Sequence, residues 1–451
     1  MTGRTWLLLA RSAGLSITVA FLTVVLAFAA VLMMNRHTSR ILAPWLLTAM
    51  LIPTCIFAQG WIFFFDRIGI PFYGIFGTIW VSVFYFFPLC FALVGFGLET
   101  LDRTEWDAAD LVLSPFPRLR AIILPQSRHF LISAGLLTFL LSIGDFSIPA
   151  GFQFNVYAMD IYAQFAVRSN ATETFFYALP LLMLLLCVAA LGFSSFRLLV
   201  LSQILPLDER KSSRGRIYAA VTLALVVVPI ASLFFNLPAP ITLFTLFKDS
   251  FGSLLNTFRY GGMAVLMTLP PAFAAAVWLR RYPGWLAYSL IILPLAIPGP
   301  IIGVALIALF INTPLYTTSW LLGLGYAIRL MPVAAMTIFF MMRSSNRTSI
   351  DARRLFQPNR VSGFLHITLP SYIPAFISGG ICIFTLSSGE TAVTLLLVPP
   401  GSSPLSLSTY NLLHYGAGDL VAATSFFLLA ACALFMGGLV GLRFILRRRL
   451  S

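Results

Sequence analysis

Charged side chains are scarce in this chain. They make up 10% of its 451 residues, whereas 59% of the residues are hydrophobic and the mean hydropathy is +0.93. A soluble domain carries about 25% charged residues. This composition excludes an ordinary soluble protein and predicts an integral membrane protein.

Lysine is almost absent, and this bears on nucleotide binding. Lys211 and Lys248 are the lysines of the sequence, and neither follows a glycine. The G-x-x-x-x-G-K-[ST] loop that cradles phosphates is therefore missing. We expect no cofactor on this chain, so if ATP drives the protein, another chain must hydrolyse it.

Cysteine and histidine are few and badly spaced for metal chemistry. The five cysteines lie in apolar segments without C-x-x-C spacing, and the four histidines show no ligand spacing. The cysteines are predicted to be small buried apolar groups. A membrane-embedded enzyme would need a cluster of His, Asp and Glu at one membrane face. The sequence shows no such cluster, so neither a metal site nor catalysis is expected.

Long apolar segments dominate the remaining sequence. A transmembrane helix needs about 20 such residues, and about eleven segments qualify on that criterion. We therefore predict an all-α membrane protein with about eleven transmembrane helices. The segments are residues 14–34, 41–65, 72–98, 129–150, 174–200, 216–236, 254–279, 285–311, 317–342, 372–395 and 420–442.

The basic residues fall almost entirely in alternate loops. The arginine-poor loops hold little more than Arg67, Arg168 and Lys248. By the positive-inside rule the arginine-rich loops are cytoplasmic, which places the C-terminus inside and the N-terminus outside. Topology and lipid contact account for the net charge of +14, so the bilayer is an expected partner and nucleic acid is not.

A polar motif, R-T-x-x-D-A-x-x-L followed by I-x-L-P, occurs twice. We call residues 103–125 elbow 1 and residues 347–370 elbow 2. In both copies the Thr and Asp have capping-box spacing. Each elbow is predicted to be a short cytoplasmic helix that ends at Pro115 and Pro117, or at Pro358, before a loop re-enters the membrane. The residues expected to contact a soluble partner are Thr104, Asp107, Ala108, Ala109, Leu111 and Pro125, and Thr348, Asp351, Ala352, Leu355 and Pro370.

The similarity continues beyond the elbows at an offset of 245 residues, where Gly144-Asp145 matches Gly389-Glu390. Six predicted spans separate the elbows, so both halves cross the membrane in the same direction. Such a repeat implies a pseudo-two-fold axis along the membrane normal. We predict halves at 1–203, with about five spans, and 204–451, with about six. The first half then lacks an N-terminal span.

Three ionisable residues are candidates for a substrate pathway. They are Asp145, Glu390 and Arg329, and charged side chains in spans usually face the protein interior. For the two carboxylates the alternative is a helix cap or a contact with water at headgroup level. For Arg329 the alternative is structural pairing with a carboxylate or with backbone carbonyls.

The elbows resemble the EAA loop of the inner-membrane permeases of bacterial ABC importers, whose fold is called MetI-like. In that family the loop helix docks in a cleft of the ATPase subunit. Asp107 and Asp351 stand here for the family's Glu, and Leu113 and Gln357 stand for its turn glycine.

Two halves in one chain, together with the Pro399-Pro400-Gly401 segment, resemble the fused permeases of ferric-iron importers. Fused permeases for thiamine, aminoethylphosphonate and hexose phosphates share the architecture. The resemblance implies a non-catalytic permease in the bacterial inner membrane with ferric iron as the expected substrate. Its expected partners are a homodimer of ATPase subunits, which carry ATP and Mg, and a periplasmic or lipoprotein binding protein.

A rival interpretation is a secondary transporter driven by an ion gradient. It would need paired ionisable residues near the middle of the membrane.

Overall fold

Helices form every secondary-structure element that the structure describes, so the predicted all-α class is confirmed. The structure is a computed structural model. It describes residues 3–34, 42, 46, 50, 52–99, 111–168, 170–201, 214–282, 284, 291, 294–295, 297–344, 369–414 and 418–450.

The first of two compact units comprises Met1–Asn236 and Ala296–Val304. Its core lies where α1, α4, α6 and α7 meet, and Tyr157 and Ile161 are fully buried there. Its helices are α1 (Gly3–Met33), α2 (Thr54–Arg67), α3 (Gly74–Glu99), α4 (Pro115–Gly144), α5 (Ser147–Gly151), α6 (Tyr157–Arg168), α7 (Ala171–Leu201) and α8 (Arg214–Phe235).

The second unit comprises Leu237–Leu295 and Ala305–Ser451. Aromatic packing marks its interior, where the rings of Phe384 and Phe435 stack with centroids 3.7 Å apart. The remaining helices are α9 (Pro240–Arg281), α10 (Gly299–Phe310), α11 (Ser319–Ser344), α12 (Leu369–Gly389), α13 (Thr391–Leu397), α14 (Leu405–His414) and α15 (Gly418–Leu450).

The sequence repeat is also a repeat of structure. Both bounds of α3 recur 245 residues later as the bounds of α11, and Leu124–Gly144 of α4 recurs in the same way as α12. Packing repeats as well, because α1 packs on α3 and α4 as α9 packs on α11 and α12. Each half thus folds by the same plan.

Among the described helices, α8 is the one without a counterpart. It packs against α2 within the first unit, although the sequence repeat assigns it to the second half. The boundary at 203/204 concerns the repeat and stays a prediction.

Eight helices are long and apolar enough to cross a membrane, counted over the described residues: α1, α3, α4, α7, α9, α11, α12 and α15. The other three predicted spans overlap shorter helices, namely α2 with 14 residues, Leu223–Phe235 in α8, and α10. Residues 41–53 and 285–296, next to α2 and α10, lie largely outside the described part of the chain.

The predicted loop between elbow 1 and the membrane is wrong. α4 begins at Pro115, directly after the extended Ser114, and runs through Pro125. Proline suits the first helical position because its missing N–H would be unpaired there anyway. Ahead of Pro125 the helix widens into a π turn at Leu119–Ile123, which accommodates a residue that cannot donate a backbone hydrogen bond.

The predicted burial of the cysteines is confirmed for Cys55, Cys90 and Cys432 and is wrong for Cys187, which is exposed on α7. Cys382 is partly buried. A small apolar side chain in a membrane span can face lipid as well as protein, so an apolar sequence context does not distinguish the two.

Close packing of α2 on α8 generates a test. A Cβ atom on Gly60 would lie 2.2 Å from the carbonyl oxygen of Pro229 and 2.8 Å from its Cβ. We expect Gly60→Ala to destabilise the protein by about 1–3 kcal/mol, because the backbone of α8 would have to move. The measurement is the thermal unfolding midpoint of the detergent-solubilised chain.

Gly14→Ala is the matched control, since nothing lies within 4 Å of a Cβ at Gly14 in α1. We expect it to be neutral or slightly stabilising, because alanine is the better helix former. Equal midpoints for the two variants would contradict the close α2–α8 contact.

Candidate functional site: repeated elbows and acidic helix caps

Elbow 1 is described from Leu111 onward; Thr104, Asp107, Ala108 and Ala109 lie outside the described residues. Leu111 and Val112 are helical and are 88% and 83% exposed, and Phe116 is 72% exposed. Exposed apolar side chains gathered in one short stretch are typical of a protein-binding surface. Pro125 lies inside α4, beyond this stretch.

In elbow 2, Thr348, Asp351, Ala352 and Leu355 lie outside the described residues. Pro370 is the second residue of α12, which matches the place of Pro125 in Leu124–Gly144. The capping boxes and the partner contacts of both elbows therefore stay predictions.

Asp145 and Glu390 follow the last residues of α4 and α12. The backbone N–H of each donates to a serine carbonyl three residues earlier, at 3.2 Å in both halves. Asp145 carboxylate oxygens accept from the N–H groups of Ser147 and Ile148 at 3.3 and 3.2 Å. One Glu390 oxygen, Oε1, accepts from Ala392 and Val393 at 3.1 and 3.4 Å.

Glu390 is thereby the N-cap of the short helix α13. Asp145 lies one residue before Phe146, the N-cap of α5, and its carboxylate caps the first N–H groups of that helix. A cap satisfies helix N–H groups that have no partner within the helix. The negative charge is also stabilised by the positive end of the helix dipole. The capping alternative is confirmed, and a pathway role for the same residues stays a prediction.

Arg329 has the carboxylate partner expected for it. Its Nε lies 3.5 Å from Oε2 of Glu390, and the two side chains are only 16% and 14% exposed. One turn earlier on α11, the hydroxyl of Tyr326 lies 2.6 Å from that of Thr394. Two polar contacts therefore tie α11 to α13.

In the first half the position equivalent to Arg329 is apolar. The residue that precedes Arg329 by 245 positions is Phe84, whose ring stacks with that of Trp61. The two halves thus share the fold but differ in charge at this position. The sequence indicates that Arg329, a cation within a predicted span, needs a partner. Only the fold shows that this partner is Glu390.

Within the described part of the chain, no three His, Cys, Asp or Glu side chains lie close enough together to hold a metal ion.

Comparison with known proteins adds the decisive observation. No family model matches the chain. It is 24% identical over 404 residues to the Fe(3+)-transport system permease protein FbpB 2 of Haemophilus influenzae, covering 84% of this chain and 79% of that protein. It is 28% identical over 193 residues to the putative 2-aminoethylphosphonate transport system permease protein PhnV of Salmonella typhimurium, covering 41% and 71%. Its curated relatives are thus permeases of binding-protein-dependent ABC transport systems.

A third relative of this permease is the spermidine/putrescine transport system permease protein PotC homolog of Mycoplasma pneumoniae, 30% identical over 154 residues. That match covers 32% of the permease and about half, 53%, of the relative. The three relatives are named for different solutes, so they identify the family and leave the substrate open.

The Arg329–Glu390 pair of the permease predicts a measurable coupling. We expect Arg329→Met and Glu390→Gln to be non-additive by about 1–3 kcal/mol, because each single variant leaves a largely buried partner behind. Unfolding midpoints of both single variants and of the double variant supply the cycle.

Asp249→Asn combined with Arg329→Met is the control cycle, because Asp249 is an exposed carboxylate of α9 that forms no ion pair with Arg329. Its two effects should add. Strict additivity of Arg329→Met and Glu390→Gln would show that the pair contributes nothing.

Proposed function

We propose that this permease forms the membrane pathway of an ATP-driven importer. It accepts a substrate from an extracytoplasmic binding protein and releases it into the cytoplasm. The observation that carries the proposal is the repeat of the helices of one half in the other half, with one elbow in each copy, after α3 in the first and after α11 in the second. Two matched elbows suit two ATPase subunits related by a two-fold axis.

The shape of α4 supports a mechanical role for elbow 1. It is one continuous helix of 30 residues, about 45 Å long at about 1.5 Å per residue. One end adjoins the exposed Leu111 and Val112, and the other adjoins the Asp145 cap. A displacement imposed on the elbow by an ATPase subunit would reach the α4–α5 break through a stiff element.

The second half has the same break and an additional restraint. Movement of α12 acts on the Glu390 cap, and Glu390 is also bound to Arg329 of α11. The two halves should therefore respond differently to the same closure of the ATPase dimer. ATP and Mg belong to the partner in this scheme, and the permease supplies no catalytic group.

The charge pairing weighs against the rival secondary transporter. A gradient-driven carrier needs ionisable groups that can bind and release its coupling ion. Glu390 is engaged by a cation and by two backbone N–H groups, and Asp145 is engaged by two backbone N–H groups. Both carboxylates are better suited to holding helix breaks than to carrying ions.

Ferric iron is the proposed substrate. The support is the ferric-iron relative, whose match extends over 84% of the permease and so includes both halves. A phosphonate is the first alternative, because the phosphonate relative matches 41% of the permease at a slightly higher identity.

The elbows supply a direct test of the importer. We expect Asp107→Arg combined with Asp351→Arg to abolish co-purification of an ATPase subunit expressed from a neighbouring gene and to abolish uptake in cells. The added bulk and positive charge would disrupt both capping boxes and the docking helices.

Asp419→Arg is the matched control, since Asp419 is exposed in the first turn of α15, at the end predicted to lie on the opposite face. It should retain the ATPase. Normal uptake by the elbow double variant would refute the proposed docking.

The substrate can be tested independently of the elbows. We expect the soluble binding protein encoded beside the permease to bind ferric iron and to support radioactive iron uptake only with an intact permease. Calorimetry with ferric iron, aminoethylphosphonate, thiamine and hexose phosphate separates the candidates. If the binding protein does not bind iron but binds one of the other solutes, ferric iron is refuted as the substrate and the importer function is not.

A further inference from the structure

A cavity of about 480 Å³ lies within the second unit. Three segments form it: the middle of α9, the residues before and at the start of α11, and the loop between α13 and α14. Its polar lining includes Arg259, Thr318, Ser319, Trp320 and Ser402. The loop segments lie on the side that the arginine distribution predicts to be extracytoplasmic.

The charge of the lining is positive. Arg259 is an exposed cation, and within the described part of the chain it makes no ion pair. None of the described residues that line the cavity is a carboxylate. A cationic site of this kind attracts an anion and repels a bare metal cation.

Two hydroxyl groups of the lining are already hydrogen-bonded within the protein. Thr318 donates to the carbonyl of Leu315 at 2.6 Å. Ser402 donates to the carbonyl of Pro399 at 2.7 Å and accepts from the hydroxyl of Tyr260, also at 2.7 Å. The groups left to donate to a ligand are the Arg259 guanidinium, the Ser319 hydroxyl and the Trp320 indole N–H.

The backbone is strained beside these donors. Thr317 lines the cavity and has a φ of +63°, a left-handed conformation that costs a non-glycine residue about 1–3 kcal/mol. Such strain persists only where surrounding contacts impose it, and it is concentrated at ligand sites.

In the first half, the segment equivalent to the one before α11 contains aromatic side chains. At the offset of 245, Thr317, Thr318 and Ser319 correspond to Phe72, Tyr73 and Gly74.

The ring of Phe72 lies 4.4 Å from that of Phe65, and Phe152 is buried against Tyr73. At the same offset Arg259 corresponds to Gly14. The shared fold therefore does not require a polar cavity here, and the second half has it in addition.

We propose that this cavity binds the oxyanion group of a small solute, a phosphate, phosphonate or carboxylate, at the outer mouth of the permease. The guanidinium supplies charge and paired donors, as in other oxyanion sites. Its role in import rests on the proposed function, which it refines: the transported solute carries an anionic group. Ferric iron would engage the cavity only as an anionic complex.

Binding to the isolated permease tests the site without the ATPase. The full chain is placed in nanodiscs of zwitterionic lipid and titrated by calorimetry with inorganic phosphate, aminoethylphosphonate, ferric citrate and spermidine. We expect at least one of the three anions to bind and spermidine not to bind. Arg259→Gln should weaken that binding at least ten-fold.

Lys248→Gln is the matched control, because Lys248 is an exposed cation of the same helix whose Nζ lies over the Phe244 ring, outside the cavity. It should bind as the unaltered chain does. Equal affinity of the Arg259 and Lys248 variants would overturn the proposal, as would the absence of binding by all three anions.

The phosphate headgroup of a lipid could supply the same oxyanion group as a solute. Nanodiscs containing phosphatidylglycerol should leave solute affinity unchanged if the solute is the occupant, and complete competition by this lipid would overturn the proposal. Because the binding assay contains no ATPase, its outcome is independent of docking: failure of the unaltered permease to recover an ATPase subunit, with intact anion binding, would refute the proposed function alone. Intact docking with no anion binding would refute this site alone.

Discussion

In hydrocarbon, every backbone N–H and carbonyl must find a hydrogen-bond partner within the protein. The described structure depends on this constraint. It explains why the described elements are all helices, and it places strict conditions on any interruption. The chain breaks its helices after Gly144 and Gly389, and in both places a carboxylate bonds the N–H groups of the next helix. Asp145 and Glu390, which the sequence suggests as pathway residues, therefore supply partners for the backbone N–H groups at these two breaks.

Around that common solution the two halves differ in side-chain chemistry. Glu390 binds Arg329, whereas Phe84 occupies the equivalent of Arg329 and stacks on an aromatic ring. The corner before α3 is packed with aromatic rings, whereas the corner before α11 is a polar cavity. A symmetric backbone can thus hold packed aromatic rings in one half where the other half has a pocket lined by Arg259.

Prediction from the sequence succeeded where periodicity and composition control the structure. Each predicted span overlaps a helix, and the offset of 245 holds for the bounds of α3 and α11. It failed for the segment from Pro115 to Pro125, which was expected to be a loop and is helical. Proline disfavours a helix interior but favours a helix start, so the residue alone does not say on which side of it the helix lies. The predicted burial of Cys187 was wrong for a related reason, since lipid and protein interior are equally apolar.

The sequence by itself determined the membrane class, the repeat and the positions of the charged residues, because these depend on composition and order along the chain. Only the tertiary structure decided that Glu390 meets Arg329, that α8 packs against α2, and that Arg259 adjoins the loops before α11 and α14. Each of these contacts joins segments that are distant in sequence. Side-chain periodicity describes which face of a helix is apolar but carries no information about which other helix that face will meet.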